Sequence, residues 1–175
     1  DLKLIVTRSA GYDHIDVVEA ARRGIPVCNV PDYGAHMIAE LAFGLLLAVA
    51  RNVVRGDERY RRERRFSDEG LRGIELRGKT LGVIGTGRIG LHSIRIANGF
   101  GMKVVAHDVV ENDLAAQELG FEYVPLERLL AASDAVTLHV RLNETTRHLV
   151  NADRLAQMKG GAILINTSRG PVVDT

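Results

Sequence analysis

The sequence predicts an α/β fold, a doubly wound parallel sheet whose strands alternate with helices. Three observations predict it. Short apolar runs recur along the chain, separated by stretches with helical spacing. A glycine-rich segment, Gly85-Thr86-Gly87-Arg88-Ile89-Gly90, follows one apolar run and opens a helical one. The composition, 46% hydrophobic and 26% charged, belongs to a folded globular chain and not to a disordered or fibrous one. At 175 residues the chain is long enough for a real core, and for one domain or one domain plus part of another.

The elements follow in order. Leu2 to Thr7 reads as a strand. Asp16 to Arg23 reads as a short helix, with Asp16 as N-cap and Gly24 as its stop. Ile25 to Val30 reads as a second strand, closed by Pro31-Asp32. Ala35 to Arg51 is dominated by Ala, Leu, Met and Ile and reads as a buried helix. Arg51 to Arg65 mixes arginines with Asp57, Glu58 and Glu63, which predicts a continuing amphipathic helix. Phe66 to Lys79 is polar and holds Gly70, Gly73 and Gly78, so a domain boundary is expected there. Strands are then expected at Leu81–Ile84, Lys103–His107, Phe121–Val124, Ala135–His139 and Ala162–Ile165. The helices between them run from the glycine segment to about Phe100, and over Asn112–Leu119, Leu126–Ala132 and Asn151–Met158. Asn151 is the N-cap of the last, and Gly160-Gly161 breaks it.

Charge and composition exclude several classes of function. Lys and Arg number 23 against 22 Asp and Glu, so a net charge of +1 gives no reason to expect a nucleic-acid or membrane partner. The most apolar stretch, Met37 to Ala50, contains Glu40 and falls short of the ~20 residues a spanning helix needs. Cys28 is the single cysteine, which rules out an internal disulfide framework and fits a reducing cytoplasm. It reads as a small buried strand residue. His14, His36 and His148 show no metal-ligand spacing with any cysteine or second histidine, so no metal is expected. The first residues form no secretory signal, and both ends of the chain read as cut.

Chemistry concentrates in three places. Gly85-x-Gly87-x-x-Gly90 has the spacing of a dinucleotide fingerprint. Gly85 permits a tight turn, Gly87 lets the backbone approach a pyrophosphate, and Gly90 lets the helix pack close to the strand. The helix start then offers N–H groups and partial positive charge to phosphates. The alternative is an ordinary glycine-rich strand–helix turn. Asp108 ends the next strand 18 residues after Gly90, near the ~20 expected for an acid that accepts from ribose hydroxyls. A carboxylate there repels a 2′-phosphate, which favours NAD over NADP; the alternative is a solvated strand-end acid. Asn166-Thr167-Ser168-Arg169-Gly170 follows the last strand, where ligands of open α/β sheets sit. The Arg169 guanidinium suits a bidentate grip on a carboxylate or polarisation of a carbonyl. A structural arginine paired with a nearby acid is an equally open reading.

These motifs together resemble the D-isomer-specific 2-hydroxyacid dehydrogenases. The resemblance covers almost the whole chain. It rests on Ser9-Ala10-Gly11-Tyr12-Asp13-His14-Ile15-Asp16, on Val30-Pro31-Asp32-Tyr33-Gly34 with Ala39-Glu40, on Leu81 to Gly90, on Leu138-His139-Val140, and on Ile165 to Gly170. Thr7 to Gly11 and Gly101-Met102-Lys103 are most similar to the D-lactate dehydrogenases among its members. The resemblance implies a Rossmann-type NAD-binding domain over 80–175, incomplete, a hinge helix and dimerisation arm over 35–79, and the remnant of a flavodoxin-like substrate domain over 1–34. It implies NAD as cofactor, a 2-hydroxy or 2-oxo acid as substrate, and a homodimer.

The resemblance also implies roles by position. Arg169 matches the catalytic arginine. Ala10 and Gly11 match the loop that holds the substrate carboxylate, and Tyr33 faces the substrate. Arg88 and Ile89 match the pyrophosphate-contacting pair and Asp108 the ribose acid. His139, Val140, Thr146, Thr167 and Ser168 match positions near the cofactor. Two departures stand out: Arg141 occupies the place of the family's usual proline after His-Val, and the family's catalytic histidine and its acidic partner fall beyond Thr175. The chain is therefore expected to be a fragment that binds NAD without full catalysis. A non-catalytic, NAD-sensing or corepressor-like protein on the same fold is the alternative function.

Overall fold

The computed structural model describes residues 1–64 and 67–175. It divides into two compact units, Asp1–Ala35 and His36–Thr175.

In the first unit, β1 (Ile5–Val6) and β2 (Val27–Cys28) pair in parallel around α1 (Val17–Arg22). The Asp16 side chain accepts from the Glu19 N–H at 2.8 Å and so caps α1, while Gly24, at φ +67°, ends it. Both strands are shorter than the sequence predicts, with pairing confined to Ile5–Val6 and Val27–Cys28. Cys28 is exposed, which corrects the expectation of a buried thiol: a two-stranded sheet has a face left open to water.

The second unit carries the larger sheet. Two helices precede it, α2 (Ala35–Ala50) and α3 (Val53–Glu63). They do not continue one another as the sequence predicts. Asn52 adopts a left-handed conformation at φ +53°, and the two axes bend by 56°. Asn tolerates that conformation better than most residues. Arg65 and Phe66, where the expected helix ends and the expected connection begins, lie outside the described residues. Among the described residues no single helix is long and apolar enough to cross a membrane. The bent α2–α3 pair qualifies only when the two are taken together, and α3 carries Arg55, Asp57, Glu58, Arg59, Arg61, Arg62 and Glu63.

The expectation that α2 is buried holds for one side only. Ala39, Ala42, Phe43, Leu46 and Ala50 are buried, whereas Met37, Leu41, Leu45 and Val49, spaced four apart, form an exposed apolar stripe. Phe43 stacks on Phe100 with ring centroids 5.6 Å apart.

The sheet strands are β3 (Thr80–Ile84), β4 (Lys103–His107), β5 (Glu122–Tyr123), β6 (Ala135–Leu138) and β7 (Ile163–Asn166). The helices between them are α4 (Arg88–Gly99), α5 (Asp113–Leu119), α6 (Leu126–Ala132) and α7 (Ala152–Ala156). All strands are parallel, in the order β5-β4-β3-β6-β7. The chain thus starts in the centre, runs outward to β5, and returns to fill the other side. That reversal puts a topological switch point between β3 and β6.

Strand alternation feeds two cores. Leu81 and Val83 pack with Ile94 and Ala97 of α4 and with Phe43 and Leu46 of α2. Ile84, Val136 and Leu138 pack on the opposite face with Leu129 and Leu130 of α6. Each fully buried leucine contributes on the order of 2 kcal/mol. Gly82 lies on this second face: a Cβ there would run into Ser133 Oγ and Leu129 of α6. The helix comes that close because the strand has no side chain at this point.

Candidate functional site

The glycine loop spans the end of β3 and the start of α4. Gly85 takes φ +94°, and a Cβ on it would meet the His139 carbonyl at 2.8 Å and Val140 N at 3.0 Å. A Cβ on Gly90 would run into the Gly85 carbonyl oxygen. The fold itself therefore demands both glycines. Gly87 differs. Its φ is −64°, a Cβ would meet nothing within 4 Å, and it is the N-cap of α4 with no side-chain cap. No atom of the described residues requires glycine at 87, but a pyrophosphate laid against the helix start does. Arg88 and Ile89 form the first turn of α4, Arg88 exposed and Ile89 half-buried.

Asp108 sits just beyond β4 and reaches back to the loop. Its Oδ2 accepts from Thr86 N at 2.6 Å and from Thr86 Oγ1 at 3.1 Å, and its Oδ1 from Val110 N at 3.3 Å. Partial burial raises its pKa, but the hydrogen bonds from Thr86, Val110 and Val109 together outweigh it and hold the carboxyl below the usual carboxylate range. The acid stays ionised. The Thr86 hydroxyl also bonds the Tyr123 hydroxyl at 2.8 Å.

His139 follows β6 and backs the same loop. Its N–H bonds the Ile84 carbonyl at 2.8 Å, and Nε2 lies 2.9 Å from Ser93 Oγ on α4 and 3.1 Å from Thr137 Oγ1. Burial pushes its pKa down to about 4, so the ring is neutral at neutral pH. Its Nδ1 and the Thr167 Oγ1 are buried without a hydrogen-bond partner among the described residues. Val140 is half-buried beside it. Thr146 is half-buried, and its contacts are with its own loop: its hydroxyl donates to the Arg141 carbonyl and accepts from Asn143 N at 2.8 Å.

Beyond β7 the chain turns on Asn166. The Asn166 Oδ1 accepts from Ser168 N at 3.0 Å and Ser168 Oγ at 2.7 Å, and its Nδ2 donates to the Arg169 carbonyl at 2.8 Å. Arg169 is exposed, with one guanidinium nitrogen donating to the Ser168 carbonyl at 3.0 Å. In the first unit, Asn29 Nδ2 donates to the Ala10 carbonyl at 2.8 Å, Ser9 Oγ donates to the Gly11 carbonyl at 2.6 Å, and Tyr33 is exposed. The structure thus joins the glycine loop, Asp108 and His139-Val140 by direct contact. Thr86, Tyr123 and Ser93 support them, Asn166 holds the turn that leads to Arg169, and the sequence assigns no role to any of the four. Of these, only Asn166 carries a local signal, an Asn whose side chain can bond the backbone two residues on.

A parallel sheet in this order, with a glycine loop at its switch point and an acid closing the next strand, defines a dinucleotide-binding domain. The comparisons narrow it. Residues 43–175 match the model of the D-isomer specific 2-hydroxyacid dehydrogenase NAD binding domain, and the chain belongs to that family, with NAD as the dinucleotide of the matched domain. A glyoxylate reductase of Korarchaeum cryptofilum is 46% identical over 99% of this chain and 53% of its own length. A D-lactate dehydrogenase of Escherichia coli is 42% identical over 99% of this chain and 52% of its own. The crystal structure of D-lactate dehydrogenase from Aquifex aeolicus, complexed with NAD and lactic acid, superimposes with a TM-score of 0.92 at 42% identity, covering 99% of this chain and 52% of that one. The chain spans about half the length of the curated relatives it matches.

Proposed function

We propose that this chain is part of an NAD-dependent oxidoreductase that moves a hydride between the nicotinamide and a D-2-hydroxy acid or its 2-oxo acid. The observation that carries the reading is the loop at the switch point, where Gly85 and Gly90 are required by packing and Gly87 is left for a ligand. When bound, NAD supplies the hydride acceptor or donor. Gly87, Arg88 and Ile89 hold its pyrophosphate, Asp108 its adenosine ribose, and His139, Val140, Thr146, Thr167 and Ser168 the remainder. Arg169 stands past the carboxyl end of β7, where such sheets bind ligands. Its fork grips the substrate carboxylate and stabilises the carbonyl oxygen as charge develops. In the first unit, Ala10, Gly11 and Tyr33 are assigned to the substrate by the family resemblance alone.

His139 is unsuited to deliver the proton. Burial keeps it neutral down to about pH 4, and Ser93 and Thr137 already engage Nε2. A general acid works best with a pKa near the working pH, so that role falls to another group. The exposed stripe Met37, Leu41, Leu45 and Val49 supports a homodimer. A cytoplasmic location is part of the same reading, supported by Cys28, an exposed thiol with no second cysteine to pair with.

The test is NADH oxidation with a panel of 2-oxo acids, pyruvate and glyoxylate included, by the enzyme that carries this chain. Arg169→Lys keeps the charge and loses the fork. We expect it to lower kcat/KM by roughly 10²–10³-fold with NADH affinity unchanged. Activity within a few-fold of wild type would make the arginine structural and overturn its assignment.

A further inference from the structure

Asp108 is held by more than its own loop. A backbone N–H can only donate, and Asn112 N lies 3.1 Å from the Tyr123 hydroxyl. An ionised carboxylate can only accept. The Thr86 hydroxyl, 3.1 Å from Asp108 Oδ2, therefore donates to it. Its single hydrogen is then spent, so the 2.8 Å contact with Tyr123 requires the phenol to donate to Thr86. The chain of bonds has one direction: Asn112 N–H to Tyr123, Tyr123 to Thr86, Thr86 to Asp108. Such chains polarise one another, each bond strengthening the next. Both ends are fixed by the fold. Asn112 caps α5, its Oδ1 accepting from Ala115 N at 3.0 Å, and Thr86 is buried within the glycine loop. The Tyr123 ring is held edge-on to Phe121, with centroids 5.1 Å apart.

The result at Asp108 is asymmetric. Oδ2 carries both Thr86 bonds, while Oδ1 takes the longer bond from Val110 N. Resting on the dinucleotide-binding reading above, we infer that Thr86 and Tyr123 are specificity-determining positioning residues, which lock Asp108 so that Oδ1 meets the adenosine ribose and its charge opposes a 2′-phosphate. Both act through Asp108. With the relay broken, the carboxylate regains rotamer freedom. It then holds the ribose less well and can swing away from a 2′-phosphate.

The experiment compares dissociation constants for NADH and NADPH by fluorescence titration. Tyr123→Phe removes the hydroxyl and keeps the ring against Phe121. We expect NADH to bind more weakly and NADPH not to, narrowing the preference by about fivefold. Thr86→Val should narrow it by about tenfold, the scale of a hydrogen bond to a charged group, and Thr86→Ser should retain the wild-type preference. On an Asp108→Asn background, Tyr123→Phe should have no further effect on the preference. Equal weakening of both dinucleotides, an unchanged preference, or an effect that persists without the Asp108 carboxylate would each overturn the inference and make the relay purely structural. Wild-type protein that binds neither dinucleotide would overturn the reading on which it rests, and the inference with it.

Discussion

The two loops that close the carboxyl edge of the sheet are built in opposite ways. The loop after β3 is gripped from all sides: Gly85 leans on the His139 carbonyl, Gly90 on Gly85, and Asp108 reaches across to Thr86. The loop after β7 is organised by one side chain, Asn166, and presents Arg169 to solvent. The first is inseparable from the fold, so damage there spreads into the core. The second is a mounting whose loss leaves the sheet intact. Change in the second loop is therefore cheaper for the fold than change in the first.

The sharpest test of that contrast is Gly90→Ala. The added methyl meets the backbone of Gly85, which has no side chain that could move aside. We expect a loss of about 3 kcal/mol, a drop in Tm of about 10 °C in a chain of this size, by calorimetry. A Tm within about 2 °C of wild type would show that the loop is softer than its contacts imply.

Acid should act next, through the same loop. Burial lowers the His139 pKa from 6.5 to about 4 in the folded chain. Unfolding restores the ordinary value, so between those two pH values the unfolded state binds the extra proton. Stability from this group is complete above pH 6.5 and is lost as the pH falls towards 4, by up to about 3 kcal/mol. Thermal melts from pH 7.5 to 4.5 should show it, with a shallower slope in His139→Gln. Identical slopes in the two proteins would remove His139 as the cause.

The smallest effect on the fold is expected from Asn166→Ala. Its hydrogen bonds organise a partly exposed turn, and their loss should cost about 1 kcal/mol, about 3 °C in Tm. Substrate kcat/KM should nonetheless fall by about tenfold, since a misplaced guanidinium loses its aim, with NADH affinity unchanged. A collapse in Tm matching that of Gly90→Ala would erase the contrast between the loops.

The same contrast explains what the sequence makes legible. The fingerprint at 85–90 and the acid at 108 are readable because their spacing follows from a strand, a turn and a helix, all local in the chain. The roles of Gly82, Thr86 and Tyr123 are not, because each depends on a partner brought near only by the finished sheet. Gly82 is required by α6, more than forty residues away, and the Thr86–Tyr123 bond spans 37 positions. The buried and exposed sides of α2 are equally hidden, since Leu41 and Leu46 are alike in hydropathy and differ only in what covers them. The break at Asn52 has a faint local signal, an asparagine able to turn left-handed, but the arginines around it read as uninterrupted helix.

The central position of β3 also sets a timetable. The strand at the middle of the sheet is the first of the five to leave the ribosome, and one of its neighbours, β6, begins only at Ala135. Until then the fingerprint has β4 on one side and an open edge on the other, and Gly85 lacks the carbonyl it leans on. Long-range parallel pairing is slow to form, because loop closure must precede its reward. The dinucleotide site is therefore a late product of synthesis. A nascent chain that has yet to expose His139 carries a bare strand edge beside the fingerprint.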